Sequence, residues 1–345
     1  MRLVHTEEAV GQVLCHDMTQ IIPGKSKGPR FKKGHVVAPE DVDVLLSMGK
    51  VNLYVWELEE GMVHEDDAAR RMAALLLGPH TKVAGPPSEG KINVVATADG
   101  VLCVDSGRLV AVNSSDEVMV ATRRGNFGVR AGDVLAGTRV IPLVIAEDRL
   151  AAAEAAAGAE PLLAVAPYVL RTAAVIATGS EVASGLIEDR FTPVIVDKLA
   201  GYGIEVGFRA TPGDEVDSVV DAIDVARASG VDLVVCTGGM SVDPDDNTPG
   251  AIRRAGARVV TYGSPVLPGA MLLVGYFDGA VGARPIPVLG VPGCAMYSRA
   301  TVLDLILPRV AAGIELERRD FSTMGEGGLC LGCKPCTYPT CPFGR

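Results

Sequence analysis

At 345 residues the chain has room for two or three domains, each with its own core. With 48% hydrophobic residues it is not a disordered chain. Its 32 basic and 42 acidic residues give a net charge of −10, which argues against a broad nucleic-acid surface.

The N-terminus, Met1-Arg-Leu-Val-His-Thr-Glu-Glu8, carries no apolar signal core. No run of roughly 18 or more apolar residues exists to span a membrane, so a cytoplasmic protein with no membrane partner is expected. Residues 1–85 read as a small α+β region. Val51–Trp56 is a strand, and Glu65–Leu77 is a helix stopped by Gly78-Pro79. The basic stretch Pro23–Gly34 contains Gly-Lys-Ser, but position 19 is Thr where a P-loop needs glycine, so it reads as a solvated loop.

Residues 86–146 are β-rich and suggest a small barrel or sandwich. Within them Asp99-Gly100 reads as a hairpin turn between Ile92–Ala96 and Val101–Val104. Residues 147–170 form a connecting helix and linker, with Glu147–Ala157 helical and Gly158 ending it. From there strands and helices alternate. Strands are expected at 173–178, 204–208, 231–237, 258–261, 271–274 and 286–290. Thr192-Pro193 and Thr248-Pro249 each look like an N-cap followed by N1. A last helix is expected over Ala295–Val310. The pattern predicts an α/β domain over 171–315, a doubly wound and mostly parallel sheet covered on both faces.

Three turns follow strands in that domain: Thr178-Gly179-Ser180-Glu181, Thr237-Gly238-Gly239-Met240-Ser241 and Gly290-Val291-Pro292-Gly293-Cys294. In a doubly wound sheet, turns at the strands' C-terminal ends converge on a ligand. Glycines there let a phosphate approach the backbone closely. Asp243, Asp245 and Asp246 would repel that phosphate unless a hard divalent cation sat between them. The competing reading makes Asp245 and Asp246 a solvated loop that caps the helix after Thr248.

The run Thr237-Gly-Gly-Met-Ser-Val-Asp-Pro-Asp-Asp-Asn-Thr-Pro249 resembles the signature of the molybdopterin-binding domain of molybdenum cofactor biosynthesis. Thr-Gly-Ser-Glu at 178–181 resembles that family's Thr-Gly-Asp-Glu, and Gly-Val-Pro-Gly at 290–293 its Gly-Leu-Pro-Gly. The resemblance implies that the Thr237–Ser241 loop and the next helix hold the phosphate of molybdopterin, or the pyrophosphate of its adenylate. It implies that Asp245 or Asp246 helps hold Mg²⁺, that Ser241 and Thr248 donate to phosphate oxygens, and that Glu181 lies near the pterin or nucleotide. Pro292, Gly293 and Cys294 complete the pocket. Two departures stand out. Ala270 occupies the place where the molybdenumtransferases carry lysine, and Cys294 replaces asparagine. The implied activity is Mg-dependent insertion of molybdenum, from molybdate, into adenylated molybdopterin. The alternatives are a non-catalytic pterin-binding accessory of a molybdenum oxidoreductase and a nucleotide pyrophosphatase of the competence/damage-inducible type. Such domains form homo-oligomers.

Residues 326–345 form a cysteine-rich tail with Cys330, Cys333, Cys336 and Cys341. Three cysteines at intervals of three, with a fourth followed by proline, resemble the ferredoxin spacing for a [4Fe–4S] cluster, with one residue added. Zn²⁺ is the alternative metal.

Overall fold

The computed structural model describes residues 1–22, 24–56, 60–241, 243, 246–279 and 282–344. The chain divides into two compact units. The first comprises residues 1–98, 103–123 and 130–165, and the second 99–102, 124–129 and 166–345.

The first unit begins with the strand Arg2–His5 paired antiparallel with Asn52–Val55, and a hairpin of Met18–Ile22 with Ser26–Phe31. Leu14, Met18, Phe31, Leu45 and Leu53 make its small core. The basic stretch expected to be a loop is therefore largely the second hairpin strand, and Pro23 lies outside the described residues. The β-rich region is neither barrel nor sandwich. It is a four-stranded antiparallel sheet in the order Thr81–Val83, Lys91–Ala96, Val134–Val140, Val118–Thr122. Three helices, Glu65–Ala74, Ser106–Asn113 and Glu147–Ala157, share a core with it through Met72, Val112, Leu150, Val94, Val120 and Ala136. The first of these stops short of Leu77.

The hairpin expected at Asp99-Gly100 does not form. Lys91–Ala96 pairs with Thr81–Val83 and Val134–Val140, while Gly100 and Val101 pair with Val129 and Gly128. Gly100 allows this because a Cβ there would fall on the Ala166 carbonyl oxygen. A glycine chosen for close backbone approach looks the same in sequence as one chosen for a turn.

The second unit is built on a six-stranded sheet. In chain order its strands are β1 (Thr172–Ala177), β2 (Glu205–Ala210), β3 (Leu233–Thr237), β4 (Arg258–Tyr262), β5 (Leu273–Phe277) and β6 (Ile286–Val291). Their spatial order is β2-β1-β3-β6-β5-β4. β2, β1, β3 and β6 are parallel, and β5 runs antiparallel to both its neighbours. The longer helices are α1 (Phe191–Ala200), α2 (Val216–Ala228), α3 (Thr248–Arg254) and α4 (Val302–Ala311), beside short helical turns at Ser180–Ala183 and Arg318–Ser322.

The two-residue period of the strands sorts one apolar run into two cores. Ala173 and Val175 of β1, with Leu233 and Val235 of β3, pack on α1 and α4 through Ile195, Leu199 and Ile306. Ala174 and Ile176, with Val234 and Cys236, pack on α2 and α3 through Val219, Ile223 and Ile252. A continuous apolar strand is what burial on both faces requires.

The helix starts differ from expectation. Thr192 and Thr248 are helical residues, not N-caps. At α1 the carboxylate of Asp189 accepts from the N–H groups of Phe191 and Thr192, both at 2.9 Å. The helix expected over 295–310 is split into a 3₁₀ turn at Gly293–Met296 and α4. Thr301 starts α4 with a capping box: its hydroxyl accepts from Leu303 N, and Asp304 accepts from Thr301 N.

Candidate functional site

The ends of β1, β3 and β6 lie side by side in register, with Ala177 opposite Thr237 and Thr237 opposite Val291. The three predicted turns therefore leave the sheet as immediate neighbours, about 4.8 Å apart per strand. Helices cover both faces, so the C-terminal edge is where a ligand meets these turns.

The central turn is locked by small residues and threonines. Thr178 N donates to Thr237 O at 2.8 Å, and the Thr178 and Thr248 hydroxyls are 3.0 Å apart. Gly238 has φ +82°, and a Cβ on it would collide with Thr178 O. Gly239 has φ +54°, and its Cβ would stand 2.8 Å from Thr248 Oγ1. Both positions demand glycine on backbone and steric grounds. Thr237 and Thr248 are each 1% exposed, and Thr248 spends its hydroxyl on Thr178. Met240 is 3% exposed and lies under Gly290, whose Cβ would come within 2.6 Å of Met240 Cε. Thr248 and Met240 thus hold the loop's shape.

The first turn is organised by a residue that sequence reasoning missed. Asp214 accepts from both Ser180 N and Ser180 Oγ, at 2.8 and 2.7 Å. Its own carbonyl accepts from Asn247 Nδ2 at 3.3 Å. The signal was available: Pro212-Gly213-Asp214 follows β2 just as the other turns follow their strands. Glu181 is exposed and presents its carboxylate beside Gly179.

The acidic loop closes on itself. Asp246 Oδ2 accepts from Ser241 N at 2.8 Å, and Asp246 N donates to Asp243 O at 3.0 Å. Tyr262, at the end of β4, donates to Met240 O at 3.1 Å, and the Arg253 guanidinium lies 5.7 Å from its ring. Burial pushes the Tyr262 phenol up, with Asp246 adding to the effect and Arg253 opposing it. Asp245 lies outside the described residues. Among the described residues no three His, Cys, Asp or Glu side chains gather as a metal-ligand group, so the described acids are not a ready-made Mg²⁺ cage.

Residues 174–312 match the family described as a probable molybdopterin binding domain. This segment is similar to that family's domain. Residues 3–57 match a domain of unknown function. CinA-like proteins of Mycobacterium sp. strain JLS and Mycobacterium tuberculosis strain H37Rv are 35% and 33% identical over 82 residues, or 24% of this chain. That match spans 20% and 19% of their respective lengths. The tungsten cofactor synthesizing protein MoaB from Pyrococcus furiosus is 24% identical and covers 42% of this chain and 94% of its own, with a TM-score of 0.35. The protein CinA with unknown function from Thermoplasma acidophilum is 18% identical, with coverage of 41% and 98% and a TM-score of 0.34. No helix among the described residues is long and apolar enough to cross a membrane.

At the third turn of the α/β domain, Gly293 is exposed and Pro292 half-buried. Cys294 is half-buried, and its thiol points to Pro292 O at 3.9 Å. Burial pushes that thiol up, which favours its protonated form. The loop of Ala270 precedes β5 at this same edge. Gly269 packs on the start of α4, where a Cβ would lie 2.6 Å from Val302 Cγ1.

The cysteine tail is docked onto this domain. Cys330 N donates to Leu267 O, and Leu267 N to Gly328 O, each at 2.8 Å. Tyr338 OH donates to Asp304 O at 2.9 Å, and Phe343 is 2% exposed in the same core as α4. All four tail cysteines are free thiols. They do not converge as a ligand group, so the arrangement does not fit the expected [4Fe–4S] or Zn²⁺ site. Anchors at each end of the tail hold it against the domain, where the cysteine spacing alone had suggested a metal-wrapped appendage.

Proposed function

We propose that this protein binds a molybdopterin species at the C-terminal edge of the α/β sheet, as part of molybdenum cofactor biosynthesis. The observation that carries the reading is the shared register of Ala177, Thr237 and Val291, which sets three glycine-bearing turns side by side. The central turn leaves no space for a side chain at Gly238, and one at Gly239 would have to displace Thr248 Oγ1. Such a loop offers backbone N–H groups to a phosphate. Asp214 fixes Ser180, and Asp246 fixes Ser241, so both serines are positioned before ligand arrives. In its finer form the ligand is the adenylate and molybdate the second substrate, with Mg²⁺ supplying counter-charge. The chain itself contributes positioning and fixed dipoles. Titration of the full chain with molybdopterin, followed by pterin fluorescence, tests the reading. Saturable binding that weakens in Asp246→Ala supports it. No saturation by the wild-type chain sinks it.

A second reading, a nucleotide pyrophosphatase, is favoured by one observation: the matched stretch of the CinA-like proteins. Turnover of ADP-ribose with Mg²⁺ present, in the absence of pterin binding, would select it.

A further inference from the structure

The first unit holds a cluster that the pterin site does not use. Cys15 is fully buried; its thiol donates to Tyr54 O at 3.1 Å, and two further groups approach its sulfur. Met1 Sδ lies 3.3 Å from Cys15 Sγ, and His16 Nδ1 lies 3.4 Å from it. We propose that Cys15, Met1 and His16 form a binding site for one soft monovalent metal ion of the copper(I) class.

The donor set decides the metal. Thiolate, thioether and imidazole together suit copper(I), whereas thioether is a poor ligand for zinc or magnesium. Bonds of about 2.3 Å to sulfur and 2.0 Å to nitrogen would subtend roughly 90–105° across these separations. Cys15 Sγ is the neighbour that the other two groups share. One thiolate neutralises a monovalent ion.

The backbone of Cys15 is also held in place. His64 is 2% exposed, and its Nδ1 accepts from Lys33 Nζ at 2.9 Å and Asp66 N at 3.1 Å. Its Nε2 therefore carries the proton and donates to Cys15 O at 2.7 Å. Outer-shell bonds of this kind fix a ligand's direction. Met1 and Met62 line an open groove with Tyr54 and residues 141–144, which gives an ion a way in. Binding forms a sulfur–metal bond and releases the thiol proton to solvent.

Anaerobic titration of the full chain with copper(I), against a chromophoric copper(I) chelator, tests the proposal together with X-ray absorption of the first equivalent bound. The expected result is one nitrogen and two sulfur neighbours. The nitrogen should vanish in His16→Ala, and affinity should fall by about tenfold or more in Cys15→Ser. Free thiols in the tail are competing soft-metal ligands, so the same first equivalent must survive substitution of Cys330, Cys333, Cys336 and Cys341 by serine. If Cys15→Ser does not fold, His16→Ala carries the test, because its side chain is only partly buried. Coordination by sulfur alone overturns the proposal, as does a first equivalent unchanged in His16→Ala.

Discussion

The hydroxyls of Thr178 and Thr248 meet at 3.0 Å and tie the first turn to the start of α3. Both side chains are nearly excluded from solvent, so neither has water as an alternative partner. Thr248→Val should destabilise the α/β unit by about 1–2 kcal/mol and weaken pterin binding, because the Thr178 hydroxyl is left with a poorer set of partners. Thr248→Ser should recover most of both. Urea unfolding and a pterin titration measure the pair, and equal stability in Thr248→Val would contradict the clasp.

Three glycines near this clasp make an internal comparison. Gly238→Ala combines φ +82° with a collision against Thr178 O and should cost about 3 kcal/mol or more. Gly239→Ala should be milder, since Thr248 Oγ1 can turn away. Gly250 lies within α3, has no positive φ, and has nothing within 4 Å of a built Cβ. Gly250→Ala should therefore stabilise by roughly 0.5–1 kcal/mol. Denaturation midpoints of the three variants should fall in that order.

Acid should act on the first unit through His64. Burial lowers its pKa from 6.5, so the unfolded chain binds the proton first. The resulting stability is fully present above about pH 6.5 and is lost as pH falls from there toward the folded value. Trp56, the chain's single tryptophan, has its ring 5.0 Å from that of His64. Tryptophan fluorescence during urea unfolding at pH 7.5 and 5.5 should show the lower midpoint at 5.5. His64→Gln should shrink the difference, and an unchanged difference would remove His64 as its cause.

The tail should behave as part of the α/β core. Phe343→Ala should cost about 3 kcal/mol, and Tyr338→Phe about 1 kcal/mol through loss of the bond to Asp304 O. Limited proteolysis of the full chain should leave the segment after Leu329 intact. Rapid release of the tail from the native protein would contradict its docking.

Sequence carried the α/β unit well for a physical reason. Strands such as Leu233–Thr237 are buried on both faces, and their apolar runs end at glycine turns where the chain must reverse direction. The order of those turns was readable, and so was their convergence on one edge. Less readable were features whose partners lie far away in the chain. Asp214 gains its role only because Ser180 folds beside it. The helix Ser106–Asn113 buries only Val112 completely, so its Val-rich run showed no clear helical period. Gly100 read as a turn because sequence does not reveal that Ala166 will lie against it. The tail hid its aromatic anchors among cysteines and prolines, and those thiols suggested a metal where the packing comes from Tyr338 and Phe343.

The family match stops at 312, but Phe321 is fully buried and Phe343 nearly so, both in the same core cluster as α4. The recognisable motif and the folding unit thus have different limits. A chain trimmed to the recognisable part would open an apolar socket beside its ligand-facing edge, and poor solubility is its expected fate. Residues beyond the matched span finish the core of the unit that carries the Thr237–Ser241 loop.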